Sequence, residues 1–208
     1  MRRAGLRWLL AAFLLAGSAM AGATVRAADN AADAPDSAEG AWRWSEGAFR
    51  WYYSRALEPP WLDPGAGLQL FRRAAEAWAG CGVRLEFAGE TERPVERADG
   101  LNVAGWSASL PPNMRGITYK RRAGRALLEA DVAISATNRE FRASPELLRK
   151  VILHEFGHAL GLVHSPDCRD VMSFGATCRH VPASALPQQP AAGDLLQCAM
   201  RYDGAVAR

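Results

Sequence analysis

From Trp42 onward the apolar positions follow two periods, one of about two residues and one of about 3.6. Phe49-Arg-Trp-Tyr-Tyr53 is rich in aromatic residues and predicts a first strand. Pro59, Pro60 and Pro64 punctuate the loop behind it. Phe71, Ala74, Ala75 and Trp78 then recur at helical spacing, which predicts an amphipathic helix over 68–78 closed by Gly80 and Gly82. Val83-Arg-Leu-Glu-Phe87 alternates and predicts a second strand; Leu101-Asn-Val-Ala104 predicts a short third. The Pro111-Pro112-Asn113 turn leads into Gly116-Ile-Thr-Tyr119, a fourth strand, and Ala130, Val132 and Ile134 share one face of a fifth over 129–134. Ser144-Pro145-Glu146 opens a helix with an N-cap, a proline at its first position and an acid in its first turn. Leu148, Ile152 and Phe156 form its apolar face. A last helix is predicted over 191–202, stopped by Gly204. No internal repeat interrupts this order.

The first 41 residues show neither period. Residues 1–21 have a basic start with Arg2, Arg3 and Arg7, an apolar run from Trp8 to Ala16, and a small-x-small site at Ala19-Met-Ala21. They predict a secretory signal peptide, too short in its apolar part to span a bilayer. Residues 22–41 hold Ala, Asp, Asn, Ser and Gly with almost no large apolar side chain, as in a disordered leader or short propeptide. Removing the three leader arginines from the 25 basic residues leaves 22, equal to the 22 acidic ones. The formal excess of +3 therefore belongs to the export signal, and nothing in the balance argues for nucleic acid or an acidic membrane surface. No stable membrane insertion is expected after cleavage, and the destination is the periplasm or the exterior.

An even set of four cysteines in an exported chain predicts two disulfides. Of the three possible pairings the favoured one joins Cys168 to Cys178 around Met172 and Cys81 to Cys198 across the chain. No Cys-x-x-Cys spacing supports a thiolate metal site instead.

The candidate chemistry lies in His154-Glu-Phe-Gly-His158-Ala-Leu-Gly161-Leu-Val-His164. On a helix, His154 and His158 stand at i and i+4 and project from one face, where two imidazoles can close on one zinc. Glu155 is placed to reach a water beside the metal rather than the metal itself. His164 points elsewhere unless the helix ends first, and Gly161, free to take φ > 0, can end it and turn the chain back. Three histidines leave a fourth position for water, as a catalytic rather than a structural zinc requires.

These residues resemble the extended zinc signature of the metzincin metallopeptidases, with Asp170-Val-Met172-Ser as the Met-turn. Ser165 after the third histidine makes the chain most similar to the matrixin branch. The resemblance implies an α+β domain over 42–208 with a twisted, mostly parallel five-stranded sheet, an antiparallel edge strand, three helices and the Met-turn. It also implies one catalytic Zn2+ held by His154, His158 and His164, with Glu155 as general base and Met172 as an apolar floor beneath the metal. The implied activity is endopeptidase cleavage by a monomer. Its protein or peptide substrate would lie antiparallel along the edge strand, with the edge expected at Gly116–Lys120 and a pocket wall formed by 173–186. No tyrosine follows Met172 closely enough to act as a further ligand.

Other expectations concern departures from the family. The first cysteine is Cys81, so a propeptide thiol cannot cap the zinc; Asp29, Asp33 or Asp36 could take that place. Only His180 lies outside the catalytic motif, so a second, structural zinc is not expected; carbonyls and scattered Asp residues can make a calcium site, but no loop signature points to one. Lys120, Arg121, Arg122 and Arg125 read as a solvated basic loop, with a preference for acidic substrate residues as the alternative. Two other functions use the same motif: an inactive peptide-binding module, and a zinc hydrolase of a non-protein amide.

Overall fold

The computed structural model describes residues 42–173, 175, 178 and 180–202. The expectations for the signal peptide, the leader and Gly204 lie outside these residues. Five strands form one sheet: β1 (Ala48–Ser54), β2 (Arg84–Thr91), β3 (Val103–Ser107), β4 (Gly116–Ala123) and β5 (Ala126–Ser135), in the order β2-β1-β3-β5-β4. All pairs are parallel except β4 with β5, which places an antiparallel strand at one edge.

The helices are α1 (Ala66–Ala77), α2 (Glu140–Ala143), α3 (Pro145–Ala159) and α4 (Ala192–Tyr202). The one-turn α2, built around the buried Phe141, is a fourth helix that the sequence pattern does not signal. One turn holds too few positions to show a period. At the head of α3 the Ser144 side chain accepts a hydrogen bond from the Leu147 N–H at 3.3 Å, the N-cap expected there.

The core fills the space between the sheet and helices α1 and α3. Phe49, Trp51 and Tyr53 of β1, Phe71 of α1, Trp106 of β3 and Phe156 of α3 are all fully buried. Trp51 and Phe156 meet edge to face at 5.2 Å, and Phe71 and Trp106 at 5.7 Å. Burying each such ring contributes on the order of 2–3 kcal/mol, so Phe156, with Leu148 and Ile152, fixes which face of α3 is left for the histidines.

β4 runs on to Ala123 and β5 begins at Ala126, both well beyond their sequence patterns, and two further strand boundaries differ for a visible reason. β2 continues past Phe87 to Thr91, because Gly89 carries the chain through positive φ without leaving the sheet. The third strand is 103–107 rather than 101–104. The Asn102 side chain spans the gap before it, donating to the Arg50 carbonyl and accepting from the Ala130 N–H, both at 2.8 Å. Trp106 was hidden because β3 is buried on both faces and so does not alternate.

On the sheet's other face, Val95, Val103 and Ala133 form a small second core beneath the segment 92–102. Two buried carboxylates of β5 hold that segment. Asp131 accepts backbone N–H groups of Glu96, Arg97 and Val103 at 3.1, 3.1 and 2.8 Å. Glu129 accepts those of Asp99 and Gly100 and pairs with Arg121 at 2.7 Å. The disulfides are Cys81–Cys198 and Cys168–Cys178. The first ties the turn after α1 to α4; the second closes the loop that carries Met172.

Candidate metal centre

α3 ends in a Schellman turn. Leu162 N–H donates to the Gly157 carbonyl at 3.0 Å and Gly161 N–H to the His158 carbonyl at 2.9 Å. Gly161 stands at φ +85°, and a Cβ there would run into the Trp42 carbonyl, so both conformation and space demand glycine. The remaining carbonyls of this helix end are also satisfied. Trp44 Nε1 donates to Ala159 at 2.9 Å, and the Tyr202 hydroxyl to Leu160 at 2.8 Å.

The bend carries His164 back to the other two. The candidate ligand atoms of His154, His158 and His164 lie within 4.8 Å of one another, and Nε2 of His158 is 3.1 Å from Nε2 of His164. Tetrahedral zinc at about 2.0–2.1 Å per bond separates two nitrogens by roughly 3.3 Å. Backbone carbonyls also select the tautomer. His154 Nδ1 is 2.8 Å from the Val171 carbonyl and His158 Nδ1 2.9 Å from that of Leu162, so each Nδ1 carries the proton and each Nε2 keeps a lone pair for the cation. Burial holds both imidazoles well below their ordinary pKa, in the neutral form that a metal requires. The donor set fits zinc.

Met172 is fully buried, and its sulfur packs so closely on α3 that a Cβ at Gly157 would collide with it. Its turn is fixed by Ser165, whose N–H donates to the Met172 carbonyl at 2.7 Å, and by Asp194 from α4. Asp194 accepts the backbone N–H groups of Val171, Met172 and Ala191 at 2.8, 3.0 and 2.8 Å. Glu155 is buried beside the histidines, and its Oε2 lies 2.8 Å from the Thr118 hydroxyl of β4. Burial pushes its carboxyl up to about 7, against the Thr118 hydrogen bond and the positive Lys120 and Lys150.

The motif thus comes together in space, and three neighbours not singled out in the sequence join it. Thr118 and Asp194 reach the site from distant elements, so spacing carries no trace of them. Lys150 did have a signal: it precedes His154 by four residues and so shares its face. It is buried, its Nζ lies 3.3 Å from the Ser173 carbonyl and 3.4 Å from His154 Nδ1, and burial pulls it down to about 8.

Of the basic cluster only Arg125 lies in the turn after β4, and Arg121, Arg122 and Arg125 are exposed as expected. Lys120, Arg121 and Arg122 belong to β4. Lys120 Nζ and the Arg122 guanidinium stand 5.1 and 4.1 Å from the Trp42 ring centre, while Arg121 is tied to Glu129. Among the described residues no helix is long and apolar enough to cross a membrane.

A mixed sheet backed by a helix with two histidines, a glycine bend returning a third, and a methionine turn beneath them define a zinc metallopeptidase. The chain belongs to the matrixin family, whose profile matches residues 62–192. Among solved structures it is similar to the GM1-bound form of the ECX AB5 holotoxin, at 15% identity over 74% of this chain and 80% of that one, with a TM-score of 0.49. It is also similar to a zinc-dependent peptidase from Methanocorpusculum labreanum, at 13% identity over 73% and 99% of the two chains, with a TM-score of 0.43. No curated protein matches it significantly.

Proposed function

We propose that this chain is an exported zinc endopeptidase in which His154, His158 and His164 hold the metal and Glu155 moves the proton. The convergence of the three imidazoles next to a buried carboxylate carries this reading. Zinc, when bound, supplies a Lewis acid for the peptide carbonyl and makes a neighbouring water acidic. Glu155 accepts the proton from that water as it attacks and delivers it to the departing amine nitrogen. Burial raises this carboxyl and so strengthens it as a proton acceptor. The Thr118 hydroxyl fixes the carboxylate rotamer. Met172 and Asp194 keep the ligand turn in register from below.

Among the described residues no strand pairs with the outer edge of β4. An extended peptide can pair there, antiparallel to β4, which sets its backbone across the site. Both disulfides accord with folding in an oxidising compartment. Residues 1–21 serve as the export signal and 22–41 as a leader in this reading.

The test is to measure zinc content and map cleavage of a peptide library by the exported chain, with and without a chelator. Internal cuts that vanish with the chelator and return with zinc are expected. Stoichiometric zinc with no cleavage of any peptide would sink the endopeptidase assignment.

A further inference from the structure

The chain has only two lysines, Lys120 and Lys150. Lys150 is buried on the ligand-bearing face of α3, one turn before His154. Its Nζ has two near neighbours, the Ser173 carbonyl at 3.3 Å and His154 Nδ1 at 3.4 Å. The second is not an acceptor: that nitrogen carries the proton given to the Val171 carbonyl. An ammonium with three N–H groups is therefore left with one acceptor among the described residues, and none of the ion pairs found among them includes it. The acids that bear on it electrostatically are engaged elsewhere, Glu155 by Thr118 and Asp194 by three backbone N–H groups. A buried cation so poorly matched draws a carboxylate from outside.

Its place along the cleft says which carboxylate. α3 runs beside β4 in the same sense: a Cβ on Gly116 would touch Val151, and Thr118 bonds Glu155. Lys150 thus lies toward the Gly116 end of the edge strand. A peptide antiparallel to β4 has its C-terminal half at that end. We infer that Lys150 is a specificity-determining residue that selects an aspartate or glutamate on the C-terminal side of the cleaved bond. This inference rests on the peptidase reading and on the antiparallel substrate. Of the alternative source of an acid preference, the cluster of Lys120, Arg121, Arg122 and Arg125, two members are engaged elsewhere, Arg121 by Glu129 and Arg122 by Trp42.

The experiment compares peptides that differ only at the residue after the cut, glutamate against glutamine and leucine. The zinc-loaded wild-type protein, Lys150→Met and Lys150→Arg are each tested, with zinc content and thermal melting as controls for folding. The wild type is expected to favour glutamate at least about tenfold in kcat/KM. Lys150→Met is expected to bring the ratio near one, and Lys150→Arg to keep most of it. A merely structural brace to Ser173 would lower all three peptides together in Lys150→Met, and that result overturns the inference. So does a wild type with no acid preference. Binding of the same peptides to zinc-loaded Glu155→Gln, read by calorimetry, separates the two claims. If the wild type cuts nothing but this variant binds the glutamate peptide through Lys150, the peptidase reading fails and the acid-selective site stands. If the variant binds none of them, the site falls as well.

Discussion

The backbone N–H of Met172 donates to Asp194 Oδ1 at 3.0 Å, joining the turn beneath the metal to the first turn of the last helix. Through that bond and its companions, α4 holds the methionine turn although it offers the metal nothing. Replacing Asp194 with alanine strands three backbone N–H groups, at about 1–3 kcal/mol each. We expect Asp194→Ala to cost roughly 3 kcal/mol or more in urea unfolding and to weaken zinc binding about tenfold or more in competitive titration. Unchanged values in both would show that α4 does not support the site.

The roles of Glu155 and His154 separate in a pair of variants. Glu155→Gln should keep stoichiometric zinc by elemental analysis yet lose about 100-fold or more in kcat. His154→Ala should lose the zinc itself. Full hydrolysis by the glutamine variant would mean that the proton travels by another route.

Gly161 is the hinge of the ligand set. Gly161→Ala faces both φ +85° and the Trp42 carbonyl, so a loss of at least about 2 kcal/mol is expected. Gly124 has φ +57° with open space around it, so Gly124→Ala should cost only about 1 kcal/mol. Zinc affinity should fall in the first variant and hold in the second. Equal losses would point to backbone strain alone.

Asp131 gives stability a pH dependence. Burial outweighs its three N–H donors and raises its carboxyl to about 7 from 3.8. Between those values the folded state binds the proton more tightly than the unfolded chain. Its contribution is therefore complete below about pH 4 and is lost as pH rises through 7, with a slope of at most about 1.4 kcal/mol per pH unit. Urea melts at pH 5 and pH 8 should show this slope in the wild type, and Asp131→Asn should flatten it.

What the sequence disclosed was whatever is local. His154, Glu155, His158, Gly161 and His164 occupy one helix and its exit, so their spacing alone states the geometry. Phe71, Ala74, Ala75 and Trp78 turn one face of α1 to the core and their period is plain, and Val83 to Phe87 alternate although only Val83 is buried and Phe87 is exposed. β3 keeps neither face to solvent, so its pattern says only that it is apolar, and its register depends on the Asn102 bridge. Thr118, Asp194, Glu129 and Asp131 act across 20 to 40 residues of chain or from another element, where no period reaches. Lys150 could have been noticed one helical turn from His154, but its burial depends on how Ser173 folds over it.

The Trp42 carbonyl resting against Gly161 has a practical side. Trp42 is thereby held against the exit of the ligand helix while its ring lies under Lys120 and Arg122 of β4. Crowding at that glycine is passed through the indole to the outermost strand, so the bend and the strand cannot be engineered independently.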